Sequence, residues 1–558
     1  MNMIEIVKDY VDNMLSEVQG RKALILDKET LKNIPAEKLT HLKAIFFCRC
    51  SEDIINKICI ELQEPKFASY NLCNYYFAKL SIDFSNSLFN DKIQKLAESD
   101  IQNVVNQVQE VYADFSIIND DLFNLNIPSV IGMTEPLPKW TISDQQNFNR
   151  MIDALYSVVM ASRSNPLIRF QARSEICFKL AEKLSAKLND DEEFVARVSK
   201  NSPSTVLLLL DRREDPITPL LNQWTYQAMI HEILGINNNR VDMKSRVQNI
   251  PEDMKEVVIS CEDDKFFRNI MYKNFGDVAE DIHNLVQSFL KNKQSQAQFT
   301  SIEDMQRIIE NFPEFKQSER NTTKHFHILE ELRKVVDGRK LYDLSEVEQD
   351  LVSGNENKAG HFKSVSDQIN NAEISKMEKL RVSLIFCLRY ENDEKVYKVK
   401  EMLKKQGLAD SQVKIIDCII EYAGKAKRGG DLFQNKDLFA RGTKIFKSYF
   451  QEVQNVLLQH KPSLMTHLDN IYKGKLPGPE FPATKATDLK EKPQNVIVFM
   501  VGGTTYEEAK EVALTYNQQQ IRVVLGGTCI HNMKSFIADV SQISLMKGPM
   551  QSFEIENP

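Results

Sequence analysis

Leu207-Leu208-Leu209-Leu210-Asp211-Arg212-Arg213-Glu214-Asp215-Pro216-Ile217-Thr218-Pro219-Leu220-Leu221-Asn222-Gln223-Trp224-Thr225-Tyr226-Gln227-Ala228-Met229 reads as a buried strand, a proline-pinned turn and a helix. Val206 to Leu210 is a short continuous apolar run, the pattern of a parallel strand covered on both faces. Thr218 stands at an N-cap position with Pro219 at the first helical position. Leu220, Leu221, Trp224, Met229, Ile230, Ile233 and Leu234 then form a broad helical face that stops at Gly235. Asp211 and Asp215 are expected to close the turn by pairing with Arg212, Arg213 or backbone donors.

A second strand of the same type lies far downstream. Val496 to Val501 is apolar, and Gly502-Gly503 follows it. Next come a helix with capping pairs Thr504…Glu507 and Thr505…Glu508 and a strand from Ile521 to Leu525. Such a βαβ unit needs a parallel sheet, and the Val206 strand is its natural neighbour. The chain therefore reads as a first α/β domain over 1–126, a discontinuous α/β domain over 127–224 and 474–558, and a mainly helical insertion over 225–473.

Several local expectations complete this outline. In the first domain, strands at Ala23 to Leu26 and Ala44 to Phe47 alternate with helical patterns, and residues 101–112 carry Ile101, Val104, Val105, Val108 and Val111 at helical spacing. Trp140 to Leu188 is helix-rich. In the insertion, Ile302, Met305, Ile308, Ile309 and Phe312 make a helical face that meets Pro313, so a bent helix or hairpin is expected there. A second helical stretch carries Phe326, Ile328, Leu329, Leu332, Val335 and Val336. Gly354 to Gly360 and Lys425 to Gly430 read as polar loops, and Leu476 to Pro482, rich in proline, reads as a stiff tether.

With 558 residues, 42% of them hydrophobic and 27% charged, the chain is long enough for several domain cores. A net charge of −7 argues against nonspecific nucleic-acid binding, which needs basic surface. No apolar run approaches the roughly 20 residues that cross a bilayer. Met3 to Val18 is an amphipathic helix interrupted by charges, not a signal segment, so membrane association is expected only through partners. The nine cysteines are scattered, mostly in apolar runs, as reduced core thiols are. Cys48 and Cys50 lack a second ligand pair at zinc spacing.

Enzyme motifs are incomplete wherever they begin. Four leucines ending in Asp211 resemble the metal-holding strand of a nucleotide hydrolase, but no phosphate loop exists in the chain. Gly502-Gly503-Thr504 and Gly526-Gly527-Thr528 follow strands without the spacing of a dinucleotide fingerprint, and read as tight turns that need glycine. His231-Glu232 begins a zincin motif whose second histidine is replaced by Gly235. No catalysis, metal or cofactor is expected.

The Asp211 turn with its Thr-Tyr-Gln-Ala-Met helix resembles the Sec/Munc (SM) family of SNARE-assembly chaperones, in particular a branch serving vacuolar protein sorting. Leu24-Ile25-Leu26-Asp27-Lys28-Glu29, Leu96-Ala97-Glu98-Ser99-Asp100, Leu234-Gly235-Ile236-Asn237-Asn238-Asn239-Arg240, Val347-Glu348-Gln349-Asp350 and Val501-Gly502-Gly503-Thr504-Thr505-Tyr506-Glu507-Glu508 resemble that branch in the same order. The resemblance implies an α/β fold in three domains forming an arch, two with parallel sheets and one a large mainly helical insertion. It implies a non-catalytic protein that binds a Qa-SNARE of the syntaxin-sixteen type and templates its assembly with an R-SNARE into the SNARE bundle for vesicle docking and fusion. A Rab effector is a further implied partner. The implied location is cytoplasmic, peripheral on Golgi and endosomal membranes. A pocket for the Qa-SNARE N-peptide falls, by the same resemblance, on Ile93, Leu96, Ala97, Val105 and Val108, and the templating hairpin on Phe312, Pro313, Phe315 and Val347. Between Asp27 and His41 the chain is shorter than that family, which has an additional helix and strand there on the arch-facing side. A trafficking scaffold or tether that does not bind SNAREs is the alternative, followed by an enzyme with an unrecognised site.

Overall fold

In this computed structural model the structure describes residues 3–26, 39–48, 52–74, 94–110, 112–191, 204–244, 254–292, 320–353, 357–430, 432–433, 460–485, 492–515 and 521–546. The chain divides into two compact units. One comprises Met1–Leu210, Asn470–Val501 and Tyr516–Cys529, and the other Asp211–Asp469, Gly502–Thr515 and Ile530–Pro558.

The first unit holds two sheets. Strands β1 (Lys22–Leu26), β2 (Leu39–Cys48), β3 (Phe67–Asn74) and β4 (Val105–Glu110) pair in that order, all parallel. Helices α1 (Met3–Glu17) and α2 (Glu52–Gln63) accompany them. Ile54, Ile55, Ile58 and Leu62 of α2 pack with Ala44, Phe46, Phe67 and Tyr70 from the sheet, so the alternate residues of β2 face this helix.

The second sheet has the order β5 (Ser116–Asn119), β6 (Leu122–Asn124), β12 (Arg522–Gly527), β11 (Asn495–Val501), β8 (Thr205–Asp211), β7 (Leu167–Phe170). The expected adjacency of the Val206 and Val496 strands is present, and every residue of β8 is buried. Residues 116–124 form an antiparallel β5–β6 pair whose β6 joins β12 in parallel. Helices α3 (Ile142–Ser162) and α4 (Glu175–Asp190) pack on this sheet through Leu155, Val158, Leu180 and Leu184 against Leu207 and Leu209. A capping box starts α3, where Asp144 N donates to Thr141 Oγ1 and Thr141 N donates to Asp144 Oδ2. The proline-rich tether lies along β7, with Phe170 N donating to Pro482 O and Ala172 N to Glu480 O. The sequence did not reveal β7, whose four residues are too few to show a period.

The second unit is mainly helical, as expected of the insertion. Helix α5 (Tyr226–Met229) continues as a π turn over Ile230–Leu234, and a small antiparallel pair, β9 (Arg240–Asp242) and β10 (Glu256–Val258), follows. Then come α6 (Lys265–Ile270), α7 (Phe275–Asn292), α8 (Arg320–Gly338), α9 (Leu341–Ser353), α10 (Lys358–Asn370), α11 (Lys376–Arg389), α12 (Glu394–Lys405), α13 (Asp410–Ala423), α14 (Ser463–Tyr472), α15 (Tyr506–Thr515) and α16 (Met533–Met546). Helix α11 is buried from Glu378 to Leu388 and packs on α9, α10, α12 and α13.

Three local expectations are corrected. The helix placed at Pro219 begins only at Tyr226, while Thr218–Leu220 is an isolated 3₁₀ turn capped by no side chain. Asp215 captures the Thr218 hydroxyl and its amide, and Glu348 takes the Asn222 amide, which hold the intervening chain out of a continuous helix. Gly360 lies in the first turn of α10 and not in a loop, because Asn357 Oδ1 accepts from Ala359 N and Gly360 N. The helix expected over 101–112 is a turn followed by β4.

Candidate functional site

That third correction falls on the expected peptide pocket. Residues 94–99 are helical, and the helix ends where the Asp100 carboxylate accepts from Val104 N at 2.8 Å and Val105 N at 2.9 Å. Asn103 takes a left-handed conformation (φ 51°) to complete the turn. The valines beyond it pair with β3, since β-branched side chains fit a pleated surface better than a helix. Their helical spacing is coincidental.

Of the residues expected to form the pocket, Leu96 and Val105 are brought together. Tyr70 pairs with Val105, a register shift follows, and Leu72 then pairs with Val108. The extra residue in β4 returns Val108 to the face that Val105 shares with Tyr70. Leu96 is buried in the same cluster and Val105 is packed against it, so these two are core residues. Val108 is 42% exposed and Ala97 is exposed, so these two offer apolar surface to solvent. Lys95 Nζ donates to Asn56 Oδ1 and Cys59 Sγ donates to Lys95 O, which tie helix 94–99 to α2. Ile93 lies outside the described residues.

The hairpin residues Phe312, Pro313 and Phe315 also lie outside the described residues, as does most of the shortened segment after Asp27. Val347 is half-buried on α9, beside the fully buried Glu348. Phe326, Ile328, Leu329, Leu332 and Val336 of α8 are buried and form core.

The residues that begin enzyme motifs are engaged in structure. Arg213 clamps Asp211, with Nη2 at 2.6 Å from Oδ2, and Asp211 Oδ1 also accepts from Arg213 N. Asp215 accepts from Ile217 N, Thr218 N, Thr218 Oγ1 and Ser463 N. Burial alone would raise its pKa, but His460 and Arg212, with these hydrogen bonds, hold it at about 2. His231 Nδ1 accepts from Ile236 N and its Nε2 donates to Ile530 O, and burial pushes its pKa down to about 4. Glu232 accepts from Met533 N at the start of α16 and from Arg381. Gly502 and Gly503 have φ of +89° and +90°, the left-handed region that favours glycine, as the tight-turn reading requires.

Sequence reasoning missed the polar centre of the helical unit. Arg381, 2% exposed, is ringed by Glu232, Glu348 and Glu378, and donates to Asn222 as well. Glu348 in turn accepts from Asn222 N and Nδ2, both at 2.9 Å. Burial, opposed by Arg381 and Asn222 and reinforced by Glu378 and Glu232, pushes its pKa up to about 8. Glu378 and Arg381 are three apart on α11, but no pairwise signal links Arg381 to the distant Glu232, Glu348 and Asn222.

The profile of the Sec1 family matches residues 5–539. Vacuolar protein sorting-associated protein 45 of Dictyostelium discoideum is 36% identical over 570 residues, covering 98% of this chain and 97% of the relative. Its namesake in Homo sapiens is 36% identical over 584 residues, covering 100% of this chain and 99% of that one. Among solved structures, the SM protein Vps45 in complex with the Qa SNARE Tlg2 superposes with a TM-score of 0.81 at 33% identity, covering 97% of this chain and 98% of that chain.

Proposed function

The chain belongs to the Sec1 family of SM proteins, and from that membership we propose that it binds a Qa-SNARE and templates SNARE assembly for vesicle docking and fusion. The observation that carries this reading is end-to-end likeness to an SM protein whose structure holds a Qa SNARE, at 33% identity and a TM-score of 0.81. The Qa-SNARE is of the syntaxin-sixteen type, and the transport step lies between endosomes and the trans-Golgi network. An R-SNARE joins on the hairpin around Phe312, Pro313, Phe315 and Val347. The three-domain division at 126, 224 and 473 belongs to the same proposal.

The chain works without catalysis. Recognition of an extended peptide and of amphipathic helices needs shaped apolar surface and no activated nucleophile. The N-peptide contacts Val108 and Ala97, the exposed pair, while Leu96 and Val105 support them from the core. Among the described residues no helix is long and apolar enough to cross a membrane, so Golgi or endosomal attachment runs through the partners.

The test is a pull-down with the N-terminal peptide of a syntaxin-sixteen-type Qa-SNARE. Val108→Arg should abolish capture and leave the fold intact, because an arginine in an apolar pocket loses contacts and must be desolvated. Unchanged affinity would remove Val108 from the pocket. Unfolding would make Val108 a core residue.

A further inference from the structure

Tyr226, in the motif Thr225-Tyr226-Gln227-Ala228-Met229, ends in a buried polar chain that the proposed function leaves without a task. Its hydroxyl is 2.9 Å from His325 Nδ1, and His325 Nε2 is 3.0 Å from Asp264 Oδ2. Tyr226 and His325 are fully excluded from solvent, and Asp264 is 2% exposed. A carboxylate only accepts, so the imidazole carries its hydrogen on Nε2 and its bare Nδ1 accepts from the tyrosine. Burial holds the His325 pKa below its usual value even though Asp264 opposes the shift, so the ring is neutral. Lys324 Nζ pairs with the same Asp264 at 2.6 Å and donates to Val258 O at 2.9 Å. Asp264 Oδ1 also caps α6 by accepting from Phe267 N, and the Phe267 ring stacks on the imidazole at 5.5 Å.

Lys324 and His325 stand near the start of α8, so the root of this helix is tied to α5, to the cap of α6 and to β10. Apolar burial is non-directional and tolerates a slide of one helix on another, whereas a buried hydrogen-bond chain has one geometry and is costly to leave unmade. We propose that Tyr226, His325 and Asp264 are positioning residues that fix the rotation and register of α8 and, through it, of α9, which packs on α8 and carries Val347 of the proposed templating surface. This rests on the function proposed above.

The experiment uses the full chain with Tyr226→Phe, which deletes one oxygen. Three quantities are read: hydrogen exchange of the α8 amides, the rate at which the protein speeds assembly of an R-SNARE with the Qa-SNARE, and capture of the N-peptide. We expect α8 to exchange about tenfold faster, assembly to slow several-fold and peptide capture to stay unchanged. Asp264→Asn keeps the cap acceptor for Phe267 and replaces Tyr226→Phe if that variant fails to fold. Unchanged exchange in α8 would overturn the anchor. Faster exchange with unchanged assembly would reduce it to ordinary stability and overturn its positioning role. If the wild-type chain itself neither captures the peptide nor speeds assembly, the function reading falls and the SNARE part of this inference with it, while α8 exchange still reports on the anchor.

Discussion

Arg212 Nη2 lies 2.5 Å from Glu508 Oε1, with both side chains completely excluded from solvent, although 296 residues separate them. Arg212 opens the turn after β8, and Glu508 closes the capping box of α15 by accepting from Thr505 N and Thr505 Oγ1. Gly502 is part of the same arrangement. A Cβ there would stand 2.9 Å from Arg212 Cβ, so the glycine after β11 leaves room for the arginine that follows β8.

Removing one partner of a buried ion pair strands the other in a medium that cannot solvate it. Arg212→Met should therefore cost about 3–5 kcal/mol, and Arg212→Met with Glu508→Met should cost clearly less than the sum of the two single changes. Denaturant unfolding of the three variants checks this. Additive losses would mean that the pair is not coupled.

Gly526 pairs with Phe123 across β12 and β6, and a Cβ there would stand 2.0 Å from the Phe123 ring. Phe123 is fully buried and stacks with Phe499 at 6.3 Å, so it has no free space to enter. Gly526→Ala should destabilise by about 1–3 kcal/mol or more, and Phe123→Leu should recover part of that loss in the double variant. Thermal unfolding of the single and double variants decides it. If Phe123→Leu makes Gly526→Ala worse, the clash is not the cause.

The stability profile against pH should have two opposed limbs. Burial, then Arg212, lowers the His531 pKa from 6.5 to about 3, and burial lowers that of His231 from 6.5 to about 4. Below pH 6.5 the unfolded chain takes up protons that the folded chain refuses, so stability falls as pH drops towards 4. Glu348 has the opposite sign. Its pKa is raised from 4.5 to about 8, so the folded chain keeps a proton that the unfolded chain has lost, and stability falls as pH rises through 8. Each fully differing proton contributes a slope of about 1.4 kcal/mol per pH unit. Denaturant midpoints between pH 6.5 and 8 should decline in wild type and stay level in Glu348→Gln. Parallel profiles would show that Glu348 does not titrate in this range.

Much of the framework is legible in the residues. The all-apolar runs of β8 and β11 predict strands buried on both faces, and the glycines after β11 predict a turn with positive φ. Periodicity failed where a local hydrogen bond or a pairing partner overrules it. Val104, Val105 and Val108 have helical spacing, yet the Asp100 carboxylate stops the helix and β3 recruits the valines. Thr218 and Pro219 have the form of a helix start, yet Asp215 and Glu348 engage the groups that a continuous helix would need.

The proposed peptide site divides along the same line. Family resemblance selects Ile93, Leu96, Ala97, Val105 and Val108 as a group, but it cannot tell support from surface. That distinction depends on the bulge that places Val108 on the Tyr70 face and on the packing that buries Leu96 while leaving Val108 open. The sequence by itself determined strand burial, the glycine turn after β11, the mainly helical insertion and the family, because each is a property of composition and order within a segment, whereas Gly526 and Gly527, expected as a second turn, lie within β12. Only the tertiary structure decided that Arg212 meets Glu508, that Arg381 gathers three glutamates and that Tyr226 reaches Asp264 through His325. Apart from Arg381 and Glu378, three residues apart on one helix, such contacts join residues roughly 30 to 300 apart, and a buried charge selects its partner by proximity in the folded chain, which no local pattern encodes.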